Sequence, residues 1–136
     1  MVAFIVIPGH GQEPKSKAEV SQEDQEKIPK ATAEKPMSFW MAKKLDYSKS
    51  ILESLTKGDF EKTADDAEHL RFLGKMEGFV RRKNPDYRVQ LQTFDLAMRE
   101  LVRQAKRSNA EGSVSAFNQM TTSCVACHVL LREGVE

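Results

Sequence analysis

From Pro36 onward, apolar residues recur at alternating steps of three and four, the spacing that stacks side chains on one face of an α-helix. Met41, Leu45, Ser48, Leu52 and Leu55 form the first such stripe, which predicts a helix over Met37 to Lys57 ended by Gly58. A second stripe runs through Phe60, Thr63, Ala67, Leu70, Leu73 and Met76, and Gly78 weakens it. The stretch RRKNPDY carries an Asn-Pro turn signal and reads as the one substantial crossing loop. Tyr87, Leu91, Phe94, Met98, Leu101 and Ala105 give a third helix that ends at Ser108 and Asn109. Val114, Phe117, Thr121, Cys124, His128 and Leu131 give a fourth, over Ala110 to Arg132. Four amphipathic helices with short connections predict an all-α fold, an antiparallel four-helix bundle, because each apolar stripe needs partners and short loops make sequential neighbours antiparallel. No strand pattern competes.

The rest of the chain differs in kind. Residues 1–11 open with the apolar run MVAFIVIPG, which lacks the basic start of a complete secretory signal and reads either as the remainder of one or as a stray terminus. Residues 12–35 are rich in Glu, Lys, Gln and Pro and contain no aromatic residue, so burial cannot offset their ordering entropy, and they read as a flexible charged tether. The folded unit is therefore expected over residues 36–134. With 40% hydrophobic residues concentrated there, one modest core is within reach of a 136-residue chain. A net charge of +1, from 21 basic and 20 acidic residues, gives no overall field that would select nucleic acid or an anionic membrane. No apolar run reaches the length of a membrane-spanning helix.

The two cysteines of the chain lie together, in SCVACH at residues 123–128. Three chemistries use such a spacing. A redox dithiol of the thioredoxin kind needs its first cysteine at a helix N-terminus after a strand, whereas this pair falls in the last third of a helix. A structural zinc site needs four ligands, and the remaining histidines are His10 in the tail and His69 on the second helix. Cys-x-x-Cys-His is the attachment signature of c-type haem: two thiols one helical turn apart reach two vinyl groups, and the adjacent imidazole of His128 binds the iron. The helical context favours the haem, with Cys124, Cys127 and His128 as its anchors.

The chain from Met37 to Arg132 resembles the class II c-type cytochromes, the cytochrome c′ family, whose haem motif also lies near the end of the last helix. That family commonly has a basic residue four positions after the haem histidine, and Arg132 stands there; the aromatic often found just before it is Leu131 here. The first helix is similar to a subset of bacterial chains reading Phe-Met-x-x-Lys-Leu, matched by Trp40, Met41, Lys44 and Leu45. The resemblance implies one covalently attached haem c, Arg132 among its contacts, attachment outside the cytoplasm and hence a periplasmic or otherwise exported protein, and pairing of two copies through the first helix.

In an antiparallel bundle the end of the fourth helix lies beside the start of the first, so Met37, Trp40, Met41 and Leu45 are the candidates to face the iron from the other side. Of these, a thioether ligates and raises the potential, and Met41 shares the apolar stripe while Met37 lies at the helix start. The family's distal position falls near residue 41 or 42 by its spacing to Gly58. The ordinary role of a methionine in such a stripe is gap-filling. The expected function is a periplasmic haem protein that carries single electrons to a redox partner, with His128 and Met41 as iron ligands, and not a catalyst. The alternative is a five-coordinate haem protein that binds NO or CO for sensing or detoxification. His69, the Asp65 and Asp66 pair, and the Arg81, Arg82 and Lys83 run read as solvated polar faces.

Overall fold

A computed structural model of the chain describes residues 36–80 and 85–133. The apolar terminus, the charged tether and most of the crossing loop lie outside the described residues. Four helices are present, α1 Met37–Lys57, α2 Phe60–Val80, α3 Pro85–Lys106 and α4 Ala110–Glu133, and no strand occurs among the described residues. The fold is an all-α four-helix bundle. None of the helices is long and apolar enough to cross a membrane.

Local chemistry sets the helix ends. Gly58 adopts a left-handed φ of 70°, and the N–H groups of Gly58 and Asp59 donate to the carbonyls of Leu55 and Ser54, closing α1 with the paired bonds of a Schellman turn. Asp59 then accepts the Lys62 N–H through Oδ1 at 3.0 Å and caps α2, so two residues suffice to reverse the chain. Pro85 begins α3 at the position where its missing N–H costs nothing, so Pro85 and Asp86, read from the sequence as loop, belong to the helix. Ser108 ends α3 with a left-handed φ of 53°, and Asn109 caps α4 by accepting the Gly112 N–H.

The core is built from Ile51, Ala67, Leu70, Phe94, Ala97, Met98, Leu101, Val102, Ala116 and Met120. On α2 and α3 the stripes read from the sequence are the buried ones: Thr63, Ala67, Leu70 and Met76, and Tyr87, Phe94, Met98, Leu101 and Ala105. At Gly74 the two helices come so close that an added Cβ would lie 2.8 Å from the Phe94 ring.

On α1 and α4 the buried line differs from the expected one. The bundle covers Trp40, Ile51 and Ser54 on α1, with Lys44 and Tyr47 half-buried between them, whereas Leu45 and Leu52 are 55% and 52% exposed. On α4 it covers Ser113, Ala116, Met120 and Ser123, whereas Val114 and Thr121 are exposed. Each buried line is the expected stripe moved back by one residue, about 100° around the helix.

The direction of that rotation is informative. The α2-facing side of α1 is marked by Ser50, whose hydroxyl donates to Asp66 at 2.5 Å, and by Tyr47, stacked on the His69 ring. Met41, Leu45, Ser48 and Leu52 therefore lie on the side away from α2. The α3-facing side of α4 is marked by Ser115, Gln119, Thr122 and Ala126, which share a surface groove with Gln90, Thr93 and Leu96 of α3. Val114, Phe117, Thr121, Cys124 and His128 lie on the side away from α3. In a bundle of this order both sides point to the seam between α1 and α4. There the helices hardly touch, while α1 packs on α2, α2 on α3 and α3 on α4 along their lengths.

Candidate functional site

Cys124 sits on α4 where its flank turns from the core to this seam. It is half-buried and packs against the core cluster, with Sγ 3.6 Å from the Sδ of Met120 one turn earlier. Neither Cys124 nor Cys127 is in a disulfide, and both are half-buried. His128 is exposed on the same flank, and Arg132 is exposed one turn further on. The expectation that the motif lies on the buried face of α4 thus holds in part for the cysteines and not for the histidine, because the buried face is centred one residue earlier.

Behind Cys124 lies a cluster that periodicity did not reveal. The Glu77 carboxylate, 1% exposed near the end of α2, accepts hydrogen bonds from the Lys44 ammonium of α1 and the Tyr87 hydroxyl of α3. The Lys44 Nζ also stands 4.6 Å above the centroid of the Phe94 ring, a cation–π contact. One acid, one base, one phenol and one aromatic face thereby join three helices at the end of the bundle that carries the cysteines. Burial pushes the Cys124 thiol above its ordinary range; the positive charge of Lys44 opposes the shift and the negative charge of Glu77 adds to it. The shift runs opposite to the lowered pKa that the activated thiolate of a redox dithiol requires.

The charge of Lys44 is felt at Cys124, in keeping with a bundle in which the first half of α1 lies beside the second half of α4. Met41, half-buried, is three residues before Lys44 and falls on the seam side of α1. Trp40, between Phe39 and Met41, is 3% exposed, packs edge-on against the Phe39 ring, and has an indole Nε1 with no hydrogen-bond partner. Lys44 and Trp40 were both legible as part of the first-helix pattern, but the stripe read from that pattern passed beside them. A lysine four residues after a tryptophan, both followed one residue later by the apolar stripe, was the available signal.

The residues set aside as solvated are divided by the structure. His69 is exposed, with Nδ1 2.8 Å from the Asp65 carbonyl. Asp65 is exposed, but Asp66 is buried at 7%, contrary to expectation, because Ser50 and Lys62 supply its hydrogen bonds. Arg81, Arg82 and Lys83 lie outside the described residues. Among the described residues no three His, Cys, Asp or Glu side chains are grouped to hold a metal ion. No family model, curated protein or solved structure matches the chain.

Proposed function

We propose that the chain is a c-type haem protein that carries single electrons, with one haem attached through Cys124 and Cys127 and ligated by His128. The observation that carries the reading is the Cys-Val-Ala-Cys-His motif on the last helix of an all-α bundle, its first cysteine beside an apolar seam. The donor set fits this group: a porphyrin supplies four equatorial nitrogens, so one imidazole and one thioether complete the iron, where zinc would need more protein ligands.

Each residue has a defined task. Cys124 and Cys127 would hold the haem covalently, each thiol adding its S–H across one vinyl group with no net oxidation. His128 would offer one ring nitrogen to the iron and keep the other for a hydrogen bond that orients the imidazole. Met41 would offer its thioether as the second protein ligand, and Arg132, one turn past His128, would supply a positive charge beside the group. Leu45, Leu52 and Val114, left exposed by the helices alone, limit water access beside the ring. The group itself supplies the ferric/ferrous couple. Attachment of haem outside the cytoplasm makes the protein periplasmic or otherwise exported, and pairing through α1 belongs to the same reading.

Expression in a host competent in haem c maturation tests the proposal. The purified protein is expected to retain haem through acidified organic solvent, and Cys124→Ala/Cys127→Ala to release it. A parent protein without covalent haem refutes the reading.

A further inference from the structure

Among the described residues one buried side-chain polar atom is without a partner, the Nε1 of Trp40. An unpaired buried donor costs about 1–3 kcal/mol, and a phenylalanine at this position would fill much of the same space without that cost. The N–H therefore calls for an acceptor that the described residues do not provide. Along the covered side of α1 the hydroxyls of Ser48, Ser50 and Ser54 are bonded to Lys44, Asp66 and Thr63 or Ile51, and the Lys44 ammonium to Glu77.

Position identifies the acceptor. In the bundle α1 touches α4 and the two run in opposite directions, and the charge of Lys44 is felt at Cys124. One turn back from Lys44 on α1 is Trp40, and one turn on from Cys124 on α4 is His128, so the indole lies level with the imidazole of the attachment motif. A porphyrin of the haem type carries its two vinyl groups and its two propionates on opposite halves of the ring. With the vinyl half bonded to Cys124 and Cys127, the carboxylates would lie at the opposite edge of the ring, away from the attachment motif.

We propose that Trp40 is a cofactor-binding residue whose indole N–H donates a hydrogen bond to a haem propionate. The assignment rests on the haem reading above and names a contact that the attachment motif does not contain. It accounts for a tryptophan rather than a phenylalanine on the buried line of α1, directly before the proposed axial ligand. The bond is charge-assisted, donor to carboxylate, and it draws negative charge away from the iron.

The test compares the haem-loaded parent with haem-loaded Trp40→Phe, after covalent haem has been verified in both by solvent extraction. Resonance Raman spectroscopy reads hydrogen bonding at the propionates directly. The propionate-bending band is expected at lower frequency in Trp40→Phe, and its midpoint potential below that of the parent, because an unbonded carboxylate favours the ferric state. Chain packing alone moves neither the bending band nor its frequency on indole N–H deuteration, and that isotope shift is expected in the parent only. The parent measurement needs no variant, so a Trp40→Phe chain that fails to fold leaves the isotope shift to decide. Covalent haem with no isotope shift in the parent overturns the role of Trp40 and leaves the haem reading standing. Absence of covalent haem overturns the haem reading itself.

Discussion

Lys44→Met removes the cation from a carboxylate that the bundle has almost wholly taken out of water. Glu77 is 1% exposed and Lys44 13% exposed, so the pair belongs to the buried class, in which deletion of one partner costs about 3–5 kcal/mol. The residual water access of Lys44 and the bond that Tyr87 still donates to Glu77 place the expected loss near the lower end, about 3 kcal/mol. That is a large fraction of the roughly 5–15 kcal/mol by which such domains are stable. Glu77→Gln keeps an acceptor for Tyr87 and leaves Lys44 able to extend to solvent, so its expected cost is smaller, about 1–2 kcal/mol. The double variant Lys44→Met/Glu77→Gln has no stranded charge and should recover to about the level of Glu77→Gln, giving a coupling energy of about 2 kcal/mol or more. Urea unfolding of all four proteins in the same haem state, followed by helical circular dichroism, measures the cycle. A Lys44→Met cost below about 1 kcal/mol, or a double variant no more stable than Lys44→Met, refutes the reasoning, since either means that Glu77 carries no charge dependent on Lys44.

Met41→Ala in the haem-loaded protein should abolish a six-coordinate low-spin spectrum and its far-red sulfur-to-iron band; a parent already high-spin and five-coordinate, and unaltered by the substitution, makes Met41 a pocket wall and moves the function to binding of NO or CO. His128→Ala should keep both thioethers, as mass spectrometry of the haem peptide reads, while the native axial spectrum is lost. Ser108→Gly relieves a left-handed φ at a residue with a Cβ and should raise stability by about 0.5–1 kcal/mol in urea unfolding, whereas a loss there would mean that the serine side chain carries more than the turn.

Two helix ends were readable because the residues that set them act locally: Gly58 and Asn109 need only their own conformational preferences, whereas Pro85, read as part of the crossing loop, begins α3. The stripes of α2 and α3 were readable for a different reason. Each of these helices has a close neighbour on both sides, so the centre of its apolar face is also the centre of its buried face. On α1 and α4 the apolar arc is wider than the arc that neighbours cover, and periodicity alone cannot tell which part is covered. Choosing the larger residues, Leu45 and Leu52 over Lys44 and Tyr47, selected the outer part. The same choice hid Lys44, because a charged residue in a buried line becomes visible only when Glu77, 33 residues away, is brought against it. At the site, Cys124, Cys127 and His128 were legible from spacing within six residues, while the unpartnered indole of Trp40 is a property of the packed helix.

The weak contact between α1 and α4 has a consequence for how the chain assembles. With strong interfaces only between sequential helices, nearly all long-range organisation consists of neighbouring hairpins, the arrangement of low contact order that folds fast. It also makes α1 a terminal member of a row, tied mainly to α2, so its amides should exchange with solvent through an opening that leaves α2, α3 and α4 paired. A group bonded to α4 and ligated by α1 would close that row into a ring, joining the first helix to the last. Hydrogen exchange should then report a protection of α1 that rises to that of α3 on haem loading, converting two cooperative units into one.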